Sequence, residues 1–193
     1  MRRTTRQFSA LCLSALLLTG SLAPAAADEV SVPIELQVAL LERIVRYERT
    51  FAAETTPVHV LVVSRASSPE SQRVSGQLVA GLRHAGTLGG RTVEATTSSY
   101  TSASALDGEV AASHARIVYL AAGLGDQIAA IGAALSDAGL IIVSAVGADV
   151  DRGAVVGFEL VSARPRIVVN LGVARAHQLQ FNAQFLRLAR VVE

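Results

Sequence analysis

Three stretches of this chain are continuously apolar and β-branched with no polar alternation: residues 58–63 (Val-His-Val-Leu-Val-Val), 116–120 (Arg-Ile-Val-Tyr-Leu) and 140–143 (Leu-Ile-Ile-Val). A strand of this kind must be covered on both faces, which an antiparallel sheet with one wet side cannot provide. Helical stretches separate the runs, so the chain alternates strand and helix, the pattern of a parallel sheet between two helical layers. A further strand is expected over residues 91–97, with a polar loop at 98–102. Helices are expected at 35–51, from the Ser67-Ser68-Pro69-Glu70 start signal to about residue 85, weakly at 103–113, and at 126–138. After Gly147 the rhythm changes. Residues 154–161 and 166–171 are two strands with only residues 162–165 between them, hence an antiparallel hairpin, and residues 172–191 are expected to close the chain as a helix. The expected fold is therefore α/β and three-layered: a mostly parallel sheet with helices on both faces, plus a C-terminal antiparallel hairpin and closing helix.

The apolar fraction, 51% of 193 residues, has a local source at the N-terminus. Arg2, Arg3 and Arg6 precede an uncharged apolar stretch at residues 8–18, and Ala25-Ala26-Ala27 offers small residues for cleavage. Residues 1–27 thus read as a secretory signal peptide and 28–193 as a single domain. The stretch is too short and too interrupted for a bilayer span of about 20 residues. Cleavage after Ala27 removes three of the seventeen arginines and none of the sixteen acids, so the formal charge of +1 becomes −2. It also removes Cys12, the one cysteine, which leaves no disulfide and no thiol chemistry. Every basic residue is arginine, yet the arginines are scattered, so no stripe exists to bind nucleic acid.

Little in the sequence points to catalysis. Gly123-Leu124-Gly125 opens a helix after a strand, but Ile128 stands where a dinucleotide loop needs its third glycine, so a tight turn is expected. His59, His84, His114 and His177 are isolated in sequence, without a second ligand at metal spacing. Asp107, Asp126, Asp137, Asp149 and Asp151 lie near element ends, where acids cap and turn. Asn170 reads first as a helix cap and only second as a ligand contact. No cofactor or metal site is expected. A small-ligand module remains the alternative to a protein-binding one, with its cleft near residues 64–68 and 123–126.

The C-terminal motifs carry more. Gly157-Phe158-Glu159-Leu160, then Arg166-Ile167-Val168-Val169-Asn170-Leu171, then Phe185-Leu186-Arg187-Leu188-Ala189-Arg190-Val191-Val192 resemble the YfiR family of exported bacterial proteins. The likeness runs from about Leu36 to Val192. It implies a periplasmic α/β domain that is not an enzyme. The family's best-known member represses YfiN, an inner-membrane diguanylate cyclase, so cyclic-di-GMP and biofilm formation depend on it. By that resemblance the partner would be the extracytoplasmic domain of a membrane-bound diguanylate cyclase or sensor kinase, with a homodimer as a further expectation. The contact residues would be Glu159, Arg164, Phe181 and Phe185, where the hairpin and last helix carry the motif. Two features depart from the family: the mature chain lacks the cysteines that form disulfides in that member, and its first helix lacks the aromatic-rich segment of many relatives.

Overall fold

The computed structural model describes residues 32–52, 56–136 and 139–193. The expected signal peptide and Cys12 lie outside them. Among the described residues the order is α1 (Ile34–Tyr47), α2 (Arg49–Ala52), β1 (Val58–Arg65), α3 (Pro69–Ala85), β2 (Thr87–Leu88), β3 (Arg91–Tyr100), α4 (Ala103–Ser113), β4 (Ile117–Leu120), α5 (Ile128–Ala134) and β5 (Ile141–Ser144). A 3-10 turn at Gly147–Arg152, β6 (Val156–Val161), β7 (Arg164–Asn170), α6 (Leu171–Ala176), α7 (Ala183–Leu186) and β8 (Arg190–Val192) follow.

One sheet runs β2-β3-β1-β4-β5-β6-β7-β8. β3, β1, β4, β5 and β6 are mutually parallel, and β7 turns back along β6. The three apolar runs become β1, β4 and β5, the centre of the sheet, where Val62, Val63, Ile117, Leu120, Ile141 and Val143 are all fully buried. Right-handed crossovers then fix the layers. The chain leaves β1 in one direction through α3 and returns past it through α4, so those two helices must cover opposite faces. Side-chain alternation agrees. The Tyr119 ring lies 6.4 Å from Phe158 and its hydroxyl donates to Gln37 of α1, whereas Gly157, one residue from Phe158, meets the 3-10 turn on the other side. Burial pushes the Tyr119 hydroxyl far above the usual range for a phenol.

The start signal of α3 works as expected. Ser68 accepts from the Ser71 N–H at 3.2 Å and Pro69 occupies the first turn. Four expectations need correction. The first helix breaks at Glu48, whose backbone is extended, so α1 and α2 are separate. The polar residues 98–100 continue β3 rather than forming a loop, because β1 runs beside them as far as Arg65. The helix expected at 126–138 begins only at Ile128, and residues 137–138 lie outside the described ones.

The fourth correction concerns the closing helix. α6 stops because Gln178 takes a left-handed backbone, φ 59°, and Asn182 starts a new turn by accepting from the Phe185 N–H at 2.8 Å. Residues 190–192 then join β7 as a parallel strand. β7 would otherwise leave the buried Val168 and Val169 at an open edge, so sheet pairing overrides helical periodicity there. The hairpin itself is as expected, with a tighter loop. Ser162 and Ala163 alone connect the strands, both left-handed with φ 51° and 60°, the twist that a two-residue turn requires. Pro165 is tolerated in β7 because β8 reaches only residues 168–170.

Candidate functional site

In an open α/β sheet ligands bind beyond the carboxyl ends of the strands, where the winding direction reverses. That point lies here between β1 and β4, and the sheet brings the two expected segments, residues 64–68 and 123–126, face to face across it. The crevice is filled by the chain itself. Arg65, the last residue of β1, donates through Nε to the Gly123 carbonyl and through Nη2 to the Asp126 carboxylate. Ser71 at the start of α3 accepts from the Arg65 N–H at 3.1 Å and donates to the Ala122 carbonyl at 2.9 Å, tying the same two loops. Gly123 has φ 97°, a backbone open to glycine, which turns its carbonyl toward Arg65.

The far side of that loop is closed by a second arginine. A Cβ at Gly125 would stand 2.7 Å from the Arg152 guanidinium, which pairs with the buried Asp149 at 3.2 Å. Asp149 in turn accepts from the Ser144 hydroxyl at 2.6 Å. That hydroxyl also accepts from the Val146 N–H, so it braces β5 against the 3-10 turn and is not free to act as a nucleophile.

The Asp126 carboxyl is held below its usual range, chiefly by the Gln127 amide, with a backbone hydrogen bond and the Arg65 charge adding to it. A carboxyl lowered in the folded state stabilises above its unfolded value, and that contribution disappears as pH falls through the lowered one. Asp126→Asn is therefore expected to lower the melting temperature slightly at pH 7, with the gap to the parent chain closing below about pH 4. A gap that stays constant between pH 7 and pH 3 would show that the Asp126 carboxyl is not held below its usual range.

The four expected contact residues do not form one patch. Glu159 accepts from Arg166 at 2.6 Å across the hairpin and from Arg190 of β8 at 3.4 Å, and Arg164 lies exposed at the start of β7. Phe181 and Phe185 belong to the α1 side: their rings are 5.1 Å apart and Phe185 is 6.0 Å from Tyr47. Phe181 is half-buried, and Phe185 is 1% exposed, which withdraws it from direct contact. The exposed apolar side chains near the hairpin are instead Val161, Leu188 and Val191. Asn170 caps α6, accepting from the Val173 N–H at 2.9 Å, and its amide donates to the Val150 carbonyl, so both of its polar ends are used within the fold.

Among the described residues no three potential metal ligands converge. His177 is buried, His114 ends α4 and His59 lies 3.4 Å from Glu94. A groove of about 610 Å³ runs between α1 and α3, lined by Ile34, Val38, Ala80 and Gly81 with Glu35 and His84 at its rim. Gly81 brings the two helices close, since a Cβ there would stand 3.3 Å from Val38.

Glu48 is a buried group not anticipated from the sequence. Its carboxylate accepts from the Phe51 N–H at 2.8 Å, from the Thr50 hydroxyl at 2.5 Å and, across the molecule, from the Gln180 N–H at 2.7 Å. The signal was present: Gln37, Leu41, Ile44 and Glu48 share one helical stripe, and two polar residues on a buried stripe demand partners.

These observations define a doubly wound α/β domain whose ligand crest is closed by its own side chains. The chain belongs to the YfiR/HmsC-like family, whose pattern matches residues 34–190. No curated protein matches its sequence. Its fold is similar to that of a conserved domain protein from Vibrio cholerae O1 biovar El Tor (TM-score 0.63, 13% identity), with 86% of this chain and 61% of that one covered. It is also similar to an ABC domain in complex with L-Trp from Streptococcus pneumonia (TM-score 0.61, 13% identity, 83% and 62% covered). A third likeness is to a ligand-free, open substrate-binding protein with adhesive properties from Clostridium difficile (TM-score 0.60, 11% identity, 84% and 60% covered). The chain thus spans about three fifths of the length of these structures. Identities this low establish the shared fold alone.

Proposed function

We propose that this chain is a periplasmic, non-enzymatic regulator that docks on the extracytoplasmic domain of a membrane signalling protein, a diguanylate cyclase or a sensor kinase, and holds it in its off state. The observation that carries the reading is family membership over residues 34–190. The crest adds to it, because Arg65 and Arg152 occupy the place where a small molecule would enter. Among the described residues no helix is long and apolar enough to cross a membrane, which fits a chain exported through the leader at residues 1–27 and cleaved after Ala27.

Repression of this kind needs a difference in affinity for two receptor conformations, and a shift from mostly on to mostly off takes about 5 kcal/mol of it. The docking surface in this proposal is the β6-β7-β8 end. Arg164 and Val161 stand at the hairpin tip there, Leu188 and Val191 supply apolar area, and Glu159 holds Arg166 and Arg190 in register. Phe181 and Phe185 lie on the α1 side, away from this surface. Deleting the gene in its native bacterium is expected to raise cyclic-di-GMP several-fold, and restoring it with Arg164→Glu is expected to leave that level high. Unchanged cyclic-di-GMP after deletion overturns the cyclase form of the proposal.

The likeness to substrate-binding proteins favours a second reading, a small-ligand module. A ligand specific for the folded state raises the melting temperature. A screen of amino acids and other periplasmic metabolites that raises it, and does so more for Asp126→Ala, would favour this reading over the first.

A further inference from the structure

The layer between α3 and the sheet changes character along its length. The buried face of α3 is apolar at Leu78, Val79 and Leu82 but carries hydroxyls at Ser71 and Ser75. On the sheet, Val60 and Val62 of β1 give way to Ser64, and Val93 and Ala95 of β3 give way to Thr97 and Ser99. The parallel register sets Val62 beside Thr97 and Ser64 beside Ser99. Three elements thus switch from apolar to polar at one level, toward the carboxyl ends of the strands, where α/β sheets hold ligands. A helix packed on a sheet for stability alone buries apolar side chains, so a departure shared by three elements marks a site. The space they leave is a cavity of about 300 Å³ whose lining includes Ser64, Gln72, Ser75, Gly76, Thr97 and Ser99 and no charged residue. It lies between α3 and the β1–β3 pair, apart from the crest between β1 and β4 that Arg65 closes.

Hydrogen-bond accounting says what this cavity can recognise. The Ser64 hydroxyl donates to the Ser98 carbonyl at 3.1 Å, the Ser75 hydroxyl to the Ser71 carbonyl at 2.8 Å, and Gln72 Nε2 to the Ala66 carbonyl at 2.8 Å. Ser64 and Ser75 are 3% and 1% exposed, so their hydroxyls are fixed in place. With those protons committed, the three side chains offer lone pairs on Ser64 Oγ, Ser75 Oγ and Gln72 Oε1. The Thr97 and Ser99 hydroxyls have no hydrogen-bond partner among the described residues and can donate. We propose that the cavity binds an uncharged polyol or monosaccharide, whose adjacent hydroxyls donate to Ser64, Ser75 and Gln72 and accept from Thr97 and Ser99. A charged ligand is disfavoured, because it would leave water with no opposite charge to meet it. The receptor surface at β6-β7-β8 is the other end of the sheet, so this site and the regulatory reading can fail separately.

The test is an amide NMR titration of the exported chain with glycerol, myo-inositol and glucose. Each is taken to about 20 mM, well above the roughly 1 mM Kd of a weak site. At least one is expected to give saturable shifts centred on Ser64, Gly76, Thr97 and Ser99. Saturation separates binding from the general action of polyols, which are excluded from protein surfaces. Glucose 6-phosphate is expected to bind roughly tenfold more weakly than glucose or worse. Gly76 supplies the blocking variant. A Cβ there meets no atom within 4 Å, and a helix interior prefers leucine to glycine, so Gly76→Leu should fold like the parent and abolish the shifts. Thr97→Val keeps the branched shape, removes one hydroxyl and should weaken binding roughly three- to tenfold. Asp126→Ala, at the crest, should leave the affinity unchanged. No saturable shift with any of the three polyols overturns the proposal. Binding that survives both Gly76→Leu and Thr97→Val, glucose 6-phosphate bound as tightly as glucose, or shifts centred on Gly123 that respond to Asp126→Ala overturn it equally.

Discussion

Glu48→Ala is expected to lower the unfolding free energy by about 1–3 kcal/mol, the cost of a buried N–H left without an acceptor, because the Phe51 N–H loses its acceptor while the part-buried Gln180 N–H can turn to water. The carboxylate sits at the break between α1 and α2, fully buried, and reaches across 132 residues of sequence to the segment between α6 and α7. Around it the backbones are bridged as well. Arg49 donates to the Gln180 carbonyl at 3.1 Å and Asn182 to the Tyr47 carbonyl at 3.3 Å. Glu48 therefore fixes the C-terminal segment to the first helix, and with it the strand β8 that follows. Glu48→Gln keeps the size but only one acceptor oxygen, so it should cost less than the alanine change. Urea unfolding of the three chains measures this. Hydrogen exchange at Gln180 and Asn182 should accelerate in both variants ahead of exchange in β1. A loss below about 1 kcal/mol with unchanged exchange would mean that Glu48 merely fills space.

Glu48 also illustrates where the sequence was legible. The central strands could be read because β1, β4 and β5 are buried on both faces, and that burial writes itself as continuous apolar residues. Local capping could be read too, at Ser68 and Asn170, since a cap is decided by residues three apart. The C-terminal thirty residues could not be read as they fold. Their apolar periodicity is real, but Gln178 turns the chain and residues 190–192 answer to the open edge of β7, a demand set by residues 168–170 and visible only in the folded sheet. The crest was half legible. The two segments at residues 64–68 and 123–126 were expected to meet there, as strand ends in this topology must. That Arg65 would fill the space between them was not foreseeable, because an arginine at a strand end says nothing about which loop it will reach. Phe181 and Phe185 are four apart, the spacing of one helical face in the closing helix expected over residues 172–191. They belong instead to a bridge and to a separate short helix, so one touches solvent and the other does not.

That difference gives the second large effect. Phe185→Ala is expected to cost about 3–5 kcal/mol, the range for removing a buried phenylalanine, because the ring is enclosed between Tyr47 of α1 and Phe181. Phe181→Ala, at a half-buried position, should cost distinctly less. The two variants separate support from contact. If the aromatic pair faced a receptor, both substitutions would weaken binding and leave the melting temperature nearly unchanged. With Phe185 in the core, its removal loosens α7 and the attached β8, so receptor binding falls only as the folded fraction falls. At about 4 °C, where the remaining folded molecules dominate, binding of Phe185→Ala per folded molecule should return close to the parent value. Calorimetric melting alongside binding corrected for the folded fraction decides it. A Phe185→Ala chain that melts like the parent yet binds poorly would put the ring at the interface and overturn its assignment to the core.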